Sequence, residues 1–254
     1  MAQAQAVLTY TTVGNREDLS DVITNISPSE TPMYSSFGKT KADATYHEWL
    51  TDSLATATAN KHIEGADYAF TRRPSRTRLG NYTQIFVTHV EVSETQRAVN
   101  TAGLEDEFVY QMAKAMKEHV LDIEYALVNG TGASGASGTA RELKGVLSFI
   151  DTTNTTGTGT GNETLTEDML NDTLQAIWAQ GGKPDTLFVG GAQKRKVSGF
   201  TGGSTKFIDA PEKEVVNAVE VYESDFGRIK VKLNRFMPSG TAVILQSDLW
   251  KVAT

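Results

Sequence analysis

The sequence predicts an α+β protein on three observations. An apolar stripe recurs at three- and four-residue steps over 104–129. A core-poor stretch at 54–84 is flanked by runs of β-formers. The last third carries a helix, a strand–turn–helix unit and then alternating β segments.

In chain order, residues 1–44 are Ser/Thr-rich, and Leu19, Val22, Ile23 and Ile26 make one short helical stripe that stops at Ser27-Pro28. So short a stripe makes no core, so this segment is expected to be an arm lying on something else. From Leu54 to Gln84 the only branched aliphatic residues are Leu54, Ile63 and Leu79, and Arg72, Arg73, Arg76 and Arg78 crowd the second half. Such a stretch cannot offset an ordering entropy of roughly 1–2 kcal/mol per residue. Its flanks, Tyr46 to Leu50 and Ile85 to Val92, are able to pair as the base of a long hairpin. The hairpin is expected to be disordered or to be ordered by neighbouring subunits.

Leu104, Phe108, Met112, Met116, Val120, Ile123 and Leu127 place one apolar face on a helix over 104–129. Glu105, Asp106 and Glu107 suit the positive N-terminal end of its dipole, and Asn129-Gly130 is a common stop. At about 1.5 Å per residue the helix approaches 40 Å, the length of a spine across a flat plate. Segments 130–139 and 151–162 read as flexible Gly/Ser/Thr loops around the apolar run Leu143 to Ile150.

A second helix is expected from Thr164 or Thr166, with Thr164 and Glu167 spaced as a capping box, carrying Leu170, Leu174, Ile177 and Trp178 inward to a stop at Gly181-Gly182. A buried strand, Thr186 to Val189, precedes a Gly190-Gly191 turn and a short basic helix, Ala192 to Phe200. Strands are expected at Val215 to Tyr222, Ile229 to Leu233 and Thr241 to Gln246, with a turn at Asp225-Phe226-Gly227.

Composition narrows the function. With 254 residues and 39% apolar content the chain can bury a proper core. A net charge of −7 disfavours a protein built to coat phosphates and helps many copies stay soluble before they associate. The absence of cysteine removes disulfides, thiolate metal sites and thiol nucleophiles. Without a secretory leader or a run of about 20 apolar residues, the chain is expected to be made and kept in the cytosol, with no membrane contact.

No catalytic constellation assembles, so no enzyme activity and no cofactor or metal are expected. His47, His62, His89 and His119 lack ligand spacing. The glycine-rich runs at 132–138, 157–162 and 202–206 match neither a nucleophile elbow nor a phosphate-binding fingerprint. A hydrolase using Ser134 or Ser137 fails for want of a base. Asp122 and Glu124 stand two apart on the spine helix and so point to different faces; they read as solvated surface or intersubunit pairing. The Arg72–Arg78 cluster and Lys194-Arg195-Lys196 read as partners for acidic neighbours ahead of nucleic acid, because no aromatics interleave them.

Several segments together resemble a known family. Arg16-Glu-Asp-Leu-Ser-Asp-Val-Ile-Thr-Asn-Ile26, Thr31-Pro-Met33, Phe37-Gly-Lys39, His47-Glu-Trp-Leu-Thr-Asp-Ser-Leu54, Glu64-Gly-Ala66 and Arg76-Thr-Arg-Leu-Gly-Asn-Tyr82 are similar to the major head proteins of the phage SU-ten type. Asp122-Ile-Glu-Tyr-Ala-Leu127, Thr186-Leu-Phe-Val-Gly190, Gln193-Lys-Arg-Lys196 and Ser224-Asp-Phe-Gly227 extend the resemblance along the chain.

The resemblance implies the Hong Kong 97-type major capsid protein fold. Residues 1–44 would be the N-terminal arm and 45–95 the extended β-hairpin loop over a neighbour. Residues 96–162 would be the peripheral domain with spine helix 104–129, and 163–254 the axial domain plus return strands. It implies a virion shell of hexamers and pentamers, assembled in the bacterial cytoplasm around non-specifically held double-stranded DNA, with a portal and scaffolding or decoration proteins as partners. A cargo-enclosing, encapsulin-like shell is the alternative. Candidate intersubunit contacts are Arg72, Arg73, Arg76, Arg78, Trp49, Tyr68, Phe70, Glu105, Asp106, Lys194, Arg195 and Lys196. The family usually continues beyond Trp250-Lys-Val-Ala253 into a stretch that returns to the peripheral domain, so either the form is shortened or another element is expected to complete that sheet.

Overall fold

The architecture was taken from a computed structural model, which describes residues 29–65, 67, 73, 75–99, 106–157, 164–200 and 220–254. The stripe at 19–26 and most of the expected strand at 215–222 lie outside the described residues. The chain divides into two compact units, split within the long helix.

In the first unit, helix α2 (Glu94–Ala98) starts at Ser93, whose hydroxyl accepts the amide proton of Gln96. Helix α3 (Glu107–Asn129) begins here behind Asp106, whose carboxylate accepts from Phe108 N at 2.8 Å. The side chain of Arg97 reaches back to Asp106 at 3.2 Å and lies over the Phe108 ring. Thr88 meets His119 at 3.0 Å. Met112 and Met116 stand exposed, the latter at 65% of its surface, so the sequence stripe is no buried seam in this part of α3.

The second unit is built on a four-stranded sheet. Strands β6 (Thr186–Val189), β7 (Val221–Ser224), β8 (Gly227–Leu233) and β9 (Ala242–Leu245) lie in the order β7-β8-β6-β9. β6 runs parallel to β8, and the other pairs are antiparallel. Every residue of β6 is buried, as its unbroken apolar run requires of a strand covered on both faces.

Leu187 and Val189 point to one core with Leu170 and Leu174 of helix α5 (Glu167–Ala179), Val197 of helix α6 (Gly191–Ser198), Ile229 and Val231. Phe188 points the other way, to a core shared with Met33, Phe37, Val128, Val146, Met237, Val243, Leu245 and Val252. Asp185 fastens the end of β9 by accepting from Ser247 N at 2.7 Å and from the Ser247 hydroxyl.

Met33 lies on helix α1 (Pro32–Ser36), so residues read as arm enter a core. Pro32 suits the first helical turn, where no amide donor is needed. Strand β1 (Gly38–Thr40) follows and pairs in parallel with β10 (Lys251–Ala253), while Phe37 stacks on Trp250 at 5.7 Å.

Strand β2 (Tyr46–Thr51) pairs antiparallel with β3 (Thr77–Tyr82), from Tyr46↔Tyr82 to Thr51↔Thr77. This corrects the expected pairing with Ile85 to Val92, which form no strand. The register is held from outside. Asn81 Oδ1 accepts from Lys144 N at 2.7 Å and its Nδ2 donates to Lys144 O at 3.0 Å, while Gln84 accepts from Leu143 N.

Lys144 belongs to β5 (Glu142–Lys144), which pairs with β4 (Thr131–Ala133). Segment 130–139 is therefore largely a hairpin rather than a loop, with Glu142 clamping both the amide and the hydroxyl of Thr131. The backbones of Gly130 and Gly145 cross at 2.8 Å. A Cβ at Gly145 would stand 2.6 Å from Gly130 N, and that close approach requires glycine. Helix α4 (Val146–Phe149) then turns Val146 into the core.

Two details of α5 differ from expectation. The cap is Thr166, whose side chain accepts from Met169 N, so the Thr164/Glu167 box does not form. Trp178 is 62% exposed and touches only the edge of the core through Phe226. One residue beyond Ile177, it has rotated off the inward face.

The C-terminal half of α3 buries Glu124, Ala126 and Val128 most deeply. The carboxylate of Glu124 is wholly enclosed and accepts from Met33 N at 2.9 Å, Tyr34 N at 2.8 Å and Asn234 Nδ2 at 2.7 Å. The expectation that Glu124 is solvated surface is thus overturned. The first-turn amides of α1 need an acceptor, and Glu124 supplies it. Desolvation pushes its pKa up, opposed by those three donors and by the charge of Lys39. Replacing Glu124 with Ala strands three buried donors and should cost about 3 kcal/mol or more in denaturant unfolding. A loss below 1 kcal/mol would contradict the role given to this carboxylate.

Candidate functional site

Because the sequence leads to no expected catalytic constellation, the candidate site is sought in surface that the fold leaves uncovered among the described residues. The β2–β3 hairpin is such a surface. Its two faces differ because residues alternate across the pleat. His47, Trp49, Leu79 and Asn81 share the face that docks on the body: Asn81 binds Lys144, and Trp49 packs against Phe149 with centroids 6.1 Å apart.

Tyr46, Glu48 and Leu50 share the other face with Tyr82, Gly80 and Arg78. The Tyr46 ring leans on Tyr82 at 4.5 Å, and the approach leaves no room for a Cβ at Gly80. Within the pairing Leu50 is 62% exposed, and beyond it Leu54 is 96% exposed and Ile63 is exposed too.

The candidate contact residues separate into several places. Arg78 pairs with Glu48 at 3.5 Å and Arg76 with Asp52 at 3.8 Å, across the hairpin. Both pairs are exposed, so each is worth at most about 1 kcal/mol. Arg73 lies beside Asp52, Ser53, Leu54 and Ala55. Trp49 is half turned into the body through Phe149. Asp106 caps α3 and bonds Arg97 within its own chain. Arg195 and Lys196 stand exposed on α6, whereas Lys194 is half-buried. Burial lowers the Lys194 pKa, and the charge of Glu220 counteracts it. Arg72, Tyr68, Phe70 and Glu105 lie outside the described residues.

The histidines stay apart. His62 bonds Asn60 and His119 bonds Thr88. Among the described residues no three His, Cys, Asp or Glu side chains gather as a metal site, and no helix is long and apolar enough to cross a membrane.

Sequence reasoning missed the cluster of Glu124, Asn234 and the α1 amides. A signal was present: Val120, Glu124 and Val128 form one i, i+4, i+8 row, and a lone carboxylate in an apolar row calls for buried donors. Nothing comparable marked Asn81, whose two-way bond to Lys144 depends on a contact 63 residues away.

Set beside solved structures, this architecture superposes on a chain of the Cyanophage A-1(L) capsid asymmetric unit with a TM-score of 0.63, covering 95% of this chain and 78% of that one. At 15% identity the likeness is one of fold, and the fold class is that of a phage capsid protein. A capsid chain of Cyanophage P-SCSP1u gives a TM-score of 0.49 at 10% identity, over 91% of this chain and 72% of that one.

The sequence comparison is more specific. A family model described as SU10 major capsid protein matches residues 6–254, and the chain belongs to that family. It is also 31% identical over 131 residues to the major capsid protein of Escherichia phage Phieco32. That match spans 51% of this chain and only 37% of the relative's length. The family is one of structural capsid proteins and not of enzymes.

The Asp106 cap carries a pH dependence. The amide of Phe108, and then Arg97, hold its pKa below the usual carboxylate range. A lowered carboxylate contributes stability above its unfolded pKa and loses it as pH falls through the folded one. Asp106→Asn keeps the acceptor and removes the charge. It should melt lower than wild type at pH 7, with the gap closing as the pH falls below the ordinary carboxylate range. A gap independent of pH in paired thermal scans would refute the charged cap.

Proposed function

We propose that this chain is the shell subunit of a tailed-phage head, associating as hexamers and pentamers into an icosahedral capsid that encloses double-stranded DNA. Family membership supports the capsid role. The single observation that carries the assembly reading is the hairpin, anchored at its base by Asn81 and Trp49 while Leu50, Leu54 and Ile63 project uncovered. Burying such side chains against a neighbour removes apolar surface at about 25 cal/mol per Å².

In this reading 1–44 is the arm, 45–95 the loop that lies on the next subunit, 96–162 the peripheral domain and 163–254 the axial domain with its return strands. The subunit assembles in the host cytoplasm and ends in the virion. A portal, with scaffolding or decoration proteins, completes the head.

Expression should yield closed particles by negative-stain microscopy; a chain that stays monomeric in size-exclusion chromatography under all assembly conditions would count against the proposal. Joint reversal of Arg76 and Arg78 to Glu sets like charges beside Asp52 and Glu48 at the hairpin rim. Particle yield should fall at least tenfold while the melting temperature of the subunit changes little. Normal particles from that variant would remove these arginines from assembly.

A further inference from the structure

Strand β8 carries a pattern that neither the fold nor the assembly reading uses. Its Ile229 and Val231 enter the core, so Arg228, Lys230 and Lys232 share the opposite face of the sheet. Alternate residues on a strand are about 6.8 Å apart. The row continues through Lys39: Lys232 Nζ donates to Ser36 Oγ at 2.7 Å and Lys39 Nζ to Tyr34 O at 3.0 Å, which seats both ammonium groups on α1 within two residues of each other. Among the described residues, the carboxylate that the strand pairing brings to this row is Glu223, opposite Arg228 and 3.4 Å from it. Lys230 faces Val221 on one side and Thr186 on the other, and is exposed.

On this side three cations of β8 and Lys39, with Glu223 beside Arg228 and the enclosed Glu124 near Lys39, leave a net positive row on a chain whose net charge is −7. The spacing along β8 is close to the roughly 7 Å between neighbouring phosphates of one strand, so successive cations can meet successive phosphates. Three of the four are lysine, a point charge for phosphate, where an acidic protein surface would favour the forked arginine. No aromatic side chain stands exposed between Arg228, Lys230 and Lys232, as base stacking on single strands would need.

We infer that Arg228, Lys230, Lys232 and Lys39 form a sequence-independent contact for the phosphate backbone of duplex nucleic acid. This rests on the reading of the protein as a DNA-enclosing shell, and names the surface that such a shell would turn to its contents. A single subunit binds weakly through so few phosphates, and the contact gains strength when many copies present the row together.

The test uses the full-length chain and a labelled mixed-sequence duplex of about 20 base pairs, with anisotropy followed across salt concentration. Wild type should bind at low salt. Arg228→Ala with Lys230→Ala should weaken binding about tenfold and lower the salt slope by about two. Lys194→Ala, Arg195→Ala and Lys196→Ala together remove more charge from α6 and should leave that slope unchanged.

The single variant Lys230→Gln, checked by its melting curve, should lower the slope by about one and guards against misfolding of the double variant. Three results overturn the inference: no duplex binding by wild type, an equal loss from the α6 variant, or tighter binding of polyglutamate than of duplex. Each leaves particle formation, and with it the proposed shell role, separately decided by microscopy.

Discussion

The enclosed carboxylate of Glu124 is the constraint from which the arrangement of the second unit follows. A helix start with its amides buried is unstable without acceptors, and α1 has none of its own. Glu124 answers two of those amides and the side chain of Asn234 at once. Asn234 in turn donates its backbone amide to Val189 and accepts from Phe236. One charged group thereby fixes α1, the C-terminal half of α3 and the end of β6. The apolar packing of Met33, Val128 and Phe188 is laid over that polar frame. Enclosed charge of this kind tolerates few alternative geometries, because each donor lost leaves an unpaired group in a low-dielectric interior.

With that frame in place, the sheet can be buried on both sides of β6 and open on one side of β8. Leu187 and Val189 serve one core and Phe188 the other. Farther along the sheet, the second core ends and the outward residues become Lys232, Lys230 and Arg228. The same pleat that buries Ile229 and Val231 thus presents a cationic row, so packing and surface chemistry are set by one alternation.

The parts of this fold legible in the sequence were those decided by local pattern. Thr186 to Val189 could be read as a buried strand because an unbroken apolar run suits no half-exposed one, and the turn at Asp225-Phe226-Gly227 announced its hairpin. The stop at Asn129-Gly130 was equally plain. What escaped was decided by long-range polar contacts. Tyr46 to Leu50 were correctly read as β-formers, yet their partner is Thr77 to Tyr82, a stretch poor in β-formers held in place by Asn81 on Lys144. The glycine-rich run after Gly130 looked like a linker, and the clamp of Glu142 on Thr131 folds its ends together. Of the candidate surface, the exposed aliphatics of the hairpin were foreseeable from its want of core; the pairing of Arg76 and Arg78 within the same hairpin was not.

That internal pairing bears on how the hairpin meets anything else. With Arg78 already neutralised by Glu48 and Arg76 by Asp52, the paired charges offer little net attraction at a distance. The unsatisfied part of this surface is aliphatic: Leu50, Leu54 and Ile63. Whatever covers it draws its affinity mainly from dewetting, which carries a negative heat-capacity change and weakens on cooling. Under the proposed shell reading, a contact made through this hairpin would therefore weaken in the cold.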